Sequence, residues 1–445
     1  MLNIKKLFYS FLIVLYPFSV LFCPRLNIGF THARIDELLV FIWAPIALVS
    51  FLFSKIKRIT IVYYLVFLSL SILFTFGVLY AGSSTGWSIP NLKNVSRPVF
   101  FLMNLIVLRY WIYKGKVKIK TVLLSLVASI TIAGVIGLYA TTNPTFAYWL
   151  TNTYASGIFD MEAPYRFNMS FRAMSVFSGY DQASITYAIG VILSLFIVLN
   201  YWRRKALRYL CILMIILLTM SIISSARVGI IALMGGLIVF FSFTISKKIT
   251  IFYIFSTALA ILILGTFILP FARDVIPTYS TNRLMELTEV FNFKSHYSIL
   301  ERVQGFNALY YTQVRYVNYP RGWNIILGYG DDGKFISDVG YINVFCRYGL
   351  LGIFVLISSF VALFKTGSKI GKLIESVQTS SKYTPVNFIL PALIVLFAIG
   401  SMKGGLYFLT FKTGECFALI IALCIVEAEE GYKRLKILNV SGNTK

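Results

Sequence analysis

The chain has 445 residues, of which 58% are hydrophobic and 13% charged, with a mean hydropathy of +0.79. Water cannot solvate such a composition all round, which excludes a soluble globule and describes a polytopic membrane protein. The formal net charge of +24 is scattered in short basic clusters and not gathered on one surface, which sets nucleic acid aside as a partner.

A helix needs ~20 apolar residues to cross the hydrocarbon core. Along the chain about twelve runs are read as spans, starting near Leu7, Glu37, Ile59, Pro98, Ile119, Asp181, Leu207, Ala226, Ile249, Asp338, Val386 and Gly405. These solid runs lack the period-2 alternation of a barrel strand, and lipid offers the backbone no hydrogen-bond partner, so the spans are expected to be helical. The prediction is an all-α polytopic membrane protein, one integral domain over residues 1–445, with two large loops at 141–180 and 272–337. The first run follows Lys5 and Lys6, lacks a small-residue cleavage site before Cys23, and is read as a retained signal anchor.

Lysine-rich loops at Lys55–Arg58, Lys114–Lys120, Arg203–Arg208, Lys247–Lys248 and Lys365–Lys382 alternate with loops poorer in basic residues. The positive-inside rule puts the former in the cytoplasm with both termini. The outer loops then carry arginine (25, 34, 97, 166, 172, 227, 273, 283, 302, 315 and 321) far more than lysine (93, 294 and 334). Lysine suffices as a topogenic point charge, whereas the guanidinium fork matches phosphate and carboxylate oxygens. An anionic ligand on the outer side is the functional expectation. The alternative is that about half of these arginines pair with outer carboxylates such as Asp160, Glu162, Glu286 and Glu301.

Three outer arginines stand out. Arg172 ends the 141–180 loop, ahead of Asp181, which is expected to cap the sixth span. Arg227 lies at a tight turn in SSARVGIIAL, where an unpaired charge near the bilayer core costs a few kcal/mol. Arg302 follows a Ser298/Glu301 capping box that opens an expected amphipathic helix striped with Ile299, Val303, Phe306, Tyr310 and Val314. Charges inside spans are Arg109, Arg347 and the pair Lys412/Glu415, whose i,i+3 spacing allows mutual neutralisation.

Other patterns narrow the field. His32 and His296 sit in different loops, so a histidine zinc site is not expected. Residues 328–333, GYGDDG, match a dinucleotide fingerprint only formally, because no strand precedes them and Asp331 and Asp332 would repel a pyrophosphate. A glycine turn leading into the tenth span is the reading taken. The intramembrane acids and matched helix breaks of a secondary transporter are not found.

In order and spacing these segments resemble the bacterial O-antigen polymerases and the related ligases. In that superfamily a large outer loop ends in a glycine turn, then a His-Asn type pair, nine residues, and Gly-x-x-Gly opening a span. Here Gly328 and Gly330 precede Asp338 and Val339, and Gly349-Leu350-Leu351-Gly352 completes the pattern. Arg172 with Phe177 and Asp181, and the Ser-Arg turn at Arg227, resemble the family's earlier motifs. The resemblance covers roughly residues 165–360. Asp338 stands where ligases have histidine, which favours a polymerase.

The resemblance implies a membrane-embedded glycosyltransferase of the C-type fold in the bacterial inner membrane, with its active site facing the periplasm. It implies no metal or other cofactor, an undecaprenyl-pyrophosphate-linked oligosaccharide as substrate, membrane lipid as surroundings, and a chain-length regulator as a protein partner. Arg172, Arg227 and Arg302 are the expected stabilisers of the leaving pyrophosphate, and Asp338 the first candidate for general base, with Glu301 or Asp181 next. An N-cap role for Asp338 stays open. Arg166, Arg315, Arg321, Tyr311 and Trp323 are the expected substrate contacts, the aromatics stacking on sugar faces or serving as membrane-belt residues. A ligase acting on lipid A-core and a lipid-linked oligosaccharide flippase are the rival readings.

Overall fold

The structure is a computed structural model describing residues 4–27, 32–53, 60–85, 89–154, 175–177, 179–201, 203–244, 317–330, 336–337, 339–377, 384–403, 406, 410 and 412–442. In chain order these form α1 (Ile4–Phe22), a hairpin of β1 (Arg25–Asn27) and β2 (His32–Arg34), α2 (Ile35–Leu52), α3 (Ile61–Thr85), α4 (Ile89–Gly115) and α5 (Ile119–Thr142). There follow α6 (Pro144–Tyr154), α7 (Tyr180–Asn200), α8 (Lys205–Ser225), α9 (Arg227–Thr244), α10 (Asn324–Leu327) and α11 (Gly340–Val377). A 3₁₀ turn (Val386–Phe388), α12 (Ile389–Gly400) and α13 (Thr413–Gly442) complete the order.

The described residues are predominantly helical, and among them 6 helices are long and apolar enough to cross a membrane by length and composition. Every predicted run but the ninth overlaps a helix, the twelfth only from Thr413 on; the run from Ile249 lies outside the described residues. The antiparallel hairpin, with Arg25 opposite Arg34, is the one sheet among the described residues, whose other regular elements are helical.

Three expectations are corrected. The fourth helix begins at Ile89, ahead of Pro98, with Pro90 in its first turn, where a missing amide costs nothing. The 141–180 loop contains α6, whose Pro144 follows Asn143, and the Asn143 carboxamide accepts from the Phe146 amide at 3.0 Å. The cytoplasmic loop expected from Lys365 is helical to Val377, because Gly367, Ile370, Gly371 and Ile374 form a buried stripe against Phe388, Leu390 and Gly431.

Two helices occupy the interior. From Thr413 to Glu429, α13 is buried on all sides, packed against α4, α11, α1, α7 and the 3₁₀ turn. A helix apolar all round belongs in such a position. The other is α7, enclosed by α5, α8, α9 and α12. Small residues allow the close crossings. A Cβ on Gly134 of α5 would meet Ser221 of α8 at 2.7 Å, and one on Gly236 of α9 would meet Ile192 of α7 at 2.9 Å. Large apolar side chains remain exposed on the periphery, including Phe41, Ile42 and Leu52 of α2 and Tyr209 and Leu213 of α8. Surface of that kind and extent suits contact with lipid chains.

The two ends of the bundle differ in charge. Lys5, Lys6, Lys114, Lys116, Lys118, Arg203 and Lys433 mark one, called here the lysine end. At the other, the arginine end, lie the hairpin with Arg34, the start of α9 at Arg227, the segment 317–330 and Lys412.

Candidate functional site

At the arginine end the first buried polar group is Arg34, the residue that joins β2 to α2. Its amide donates to Glu37 Oε2 at 3.0 Å, and this bond from the third helical residue back to the N-cap fixes the entry to α2. Its guanidinium lies 2.5 Å from Glu415 Oε2 in the first turn of α13. The two side chains are only 4% and 0% exposed, so this is an ion pair removed from solvent. A charge so placed is tolerated only with a partner, and losing one partner costs ~3–5 kcal/mol.

Lys412 forms the second buried group. The sequence pairs it with Glu415, but the fold separates their roles: Glu415 turns to Arg34, and Lys412 Nζ donates to the carbonyls of Val176 at 2.6 Å and Leu21 at 2.9 Å. The ammonium also stands 5.0 Å from the centre of the Tyr154 ring. Its backbone has φ 69°, a left-handed conformation that a lysine adopts only where its surroundings hold it. Lys412 thus ties the end of α1, the segment 175–177, α6 and the start of α13 at one point. The Tyr154 hydroxyl donates to the Phe22 carbonyl at 3.0 Å, and burial, with Cys23 adding, pushes its pKa up. Thr186 and Thr413 share a hydrogen bond of 2.7 Å, and Gln182 donates to Thr410 at 3.3 Å, so α7 joins the same cluster.

A second arrangement joins the end of the large loop to α11. The helix is broken at Gly349, where φ is 61° and ψ −157°, and the docked turn bonds to carbonyls just before the break. Tyr329 N–H donates to the Cys346 carbonyl at 2.8 Å and Gly330 N–H to the Arg347 carbonyl at 2.9 Å. Gly328 and Gly330 adopt φ 74° and 83° to make the approach. A Cβ on Gly328 would strike the Arg347 carbonyl, one on Gly349 the Ile326 carbonyl, and one on Gly330 would come within 2.6 Å of the Ala81 amide. Tyr80 of α3 donates to Asn324 at 3.0 Å, so the turn is wedged between α3 and α11. Just before α11, Ser337 N–H donates to Asn343 Oδ1 at 3.2 Å, Asn343 Nδ2 returns a bond of 2.5 Å to the Ser337 carbonyl, and Val339 N–H donates to Ser337 Oγ at 3.1 Å. The chain on both sides of position 338 is therefore pinned.

Arg172, Arg302, Asp338, Arg166, Arg315 and Tyr311 lie outside the described residues, as does the expected helix opened by Ser298 and Glu301. Arg227 is the first residue of α9, as its tight turn predicts, and Gly229, two residues on, lies against Ser184 of α7. Arg321 and Trp323 are exposed on the docked segment, Trp323 at 81%. Asp181 is displaced from its expected capping position: Gly179 is the N-cap of α7 and Asp181 occupies the first turn, where the helix dipole favours a carboxylate.

Sequence reasoning missed the Arg34–Glu415 pair and the reach of Lys412. It also listed Arg109 of α4 without its partner, Glu429 of α13, which lies 2.8 Å away near the lysine end. The available signal was the charge inside each apolar run, but not the identity of a partner hundreds of residues distant. Compared with known proteins, the chain matches no family model and no curated sequence.

Proposed function

We propose that this protein polymerises lipid-linked O-antigen repeat units, transferring the growing glycan from undecaprenyl pyrophosphate to the non-reducing end of another lipid-linked unit. The observation that carries this reading is the meeting of Gly328, Gly330 and Gly349 at one contact, because it gives a physical reason for a motif that otherwise rests on spacing. Further support comes from the start of α9 at Arg227 and from the clamped segment 175–177, which follows Arg172 by three residues. In this reading the chain has about twelve spans, and the arginine end faces the periplasm of a bacterial inner membrane.

The reaction follows from the substrate. A hydroxyl oxygen of the acceptor sugar attacks the anomeric carbon of the donor and gives up its proton to a base, for which Asp338 is the candidate. As the new glycosidic bond forms, the bond from that carbon to the pyrophosphate oxygen breaks, and the electron pair leaves with the lipid pyrophosphate. Arg172, Arg227 and Arg302 stabilise the charge that develops there, each contributing ~3 kcal/mol in a water-poor site. Arg166, Arg315, Arg321, Tyr311 and Trp323 hold the sugars and phosphates.

The test is gel analysis of surface lipopolysaccharide after deletion of the gene in its host, with complementation. Core bearing a single repeat unit, restored to a ladder by wild type but not by at least two of Arg172→Ala, Arg227→Ala and Arg302→Ala at equal expression, is the expected result. Bare core without any unit would point to the ligase or flippase reading, and an unchanged ladder would remove the function.

A further inference from the structure

The exposed face of α11 changes character along its length. From Leu350 to Val361 it is apolar, with Leu350 53%, Phe354 69%, Ile357 51% and Val361 44% exposed. Continuing the same 3.6-residue stripe, the next exposed positions are Lys365, Lys369 and Lys372. The opposite face stays buried throughout, through Leu356, Leu363, Gly367, Ile370 and Ile374, so the helix does not rotate between the two halves. From Leu350, just after the break at Gly349, to Val361 the rise is ~17 Å, about half the thickness of a hydrocarbon core. The first lysine stands one turn beyond the apolar face, and the next two continue it toward the lysine end.

None of the three lysines has a hydrogen bond or ion pair among the described residues, and the acid on this helix, Glu375, is exposed three residues beyond Lys372. A topogenic role requires lysines near the end of a span but not their alignment with the lipid-facing side. We infer that Lys365, Lys369 and Lys372 form a binding stripe for the headgroups of anionic phospholipids whose acyl chains lie along Leu350, Phe354, Ile357 and Val361. Charge complementarity selects the anionic headgroup, and continuity with the exposed apolar face selects a lipid over a soluble phosphate.

The experiment is native mass spectrometry of the full-length protein in detergent, titrated with phosphatidylglycerol or with phosphatidylcholine. Wild type is expected to retain phosphatidylglycerol in preference. The triple variant K365Q/K369Q/K372Q should lose that preference by about fivefold per lysine, on the order of 100-fold in all. K365R/K369R/K372R should keep it, and K114Q/K116Q/K118Q, which removes equal charge from the end of α4 and the turn to α5 at the same end, should lose less than about fivefold. Equal retention of the two lipids by wild type would overturn the inference. So would a glutamine variant that binds as wild type does, or a loop variant that loses as much as the stripe. Unchanged phosphatidylcholine retention and unchanged elution on gel filtration show that each variant is folded.

Discussion

Gly328 and Gly349 occupy backbone conformations, φ 74° with ψ −171° and φ 61° with ψ −157°, that only glycine adopts readily. Each also touches backbone of the other's segment, so a methyl group there meets a carbonyl that cannot step aside. Gly322 has φ 59° but nothing within 4 Å of an added Cβ. The expected order of thermal stability in detergent is therefore wild type, then Gly322→Ala with a loss of ~1 kcal/mol, then Gly328→Ala and Gly349→Ala with losses of about 3 kcal/mol or more. Equal losses at all three sites would show that the docked turn contributes nothing. Such glycines were legible in the sequence as a turn and a Gly-x-x-Gly pair, because glycine is a local signal. Their contact with one another was not, since the 20 intervening residues carry no record of which backbone groups meet.

Among the elements, apolar runs identified most of the helices, the short uncharged α6 aside, and other errors arose where charge was taken as a boundary. Helix α11 passes through Lys365, Lys369 and Lys372 because its buried stripe continues on the far side; lysine on an exposed face does not end a helix. The start of the α12 segment shows another device that local reading misses. Glu427 of α13 accepts from the Val386 amide at 2.9 Å, the Asn387 amide at 3.1 Å and the Asn387 carboxamide at 2.8 Å, so one carboxylate caps an element 40 residues earlier. Tyr63 of α3 completes the group by donating to Asn387 Oδ1 at 2.7 Å. Replacing Glu427 by Ala leaves the buried Val386 and Asn387 amides without this acceptor, while the Asn387 carboxamide keeps the Cys424 carbonyl, and ~3 kcal/mol or more should be lost. Glu427→Gln should retain part of it, because one amide oxygen remains. Thermal unfolding of both variants in one detergent checks this, and equal behaviour of the two would argue against a capping role.

At the scale of the whole molecule, the division into a lysine end and an arginine end was legible because topogenic charge is written in composition, whereas the network that closes the arginine end depends on pairs far apart in the chain. Arg34 and Glu415 are separated by 381 positions, and their contact holds the hairpin after α1 against the first turn of the buried helix α13. A double-mutant cycle isolates that tie. Arg34→Met leaves Glu415 as a buried carboxylate, and Glu415→Leu leaves a buried guanidinium, so each single change should cost ~3–5 kcal/mol. The double variant removes both charges and puts apolar atoms in their place, so it should be more stable than either single variant, and the coupling should reach about 2 kcal/mol or more. Glu37 remains bonded to the backbone of residue 34 in every variant, since the bond uses the amide and not the side chain. Midpoints of thermal unfolding measured on the four purified proteins give the coupling directly. If the two losses simply add, the ion pair is incidental to the closure of the arginine end, which then rests on packing and on the Lys412 contacts.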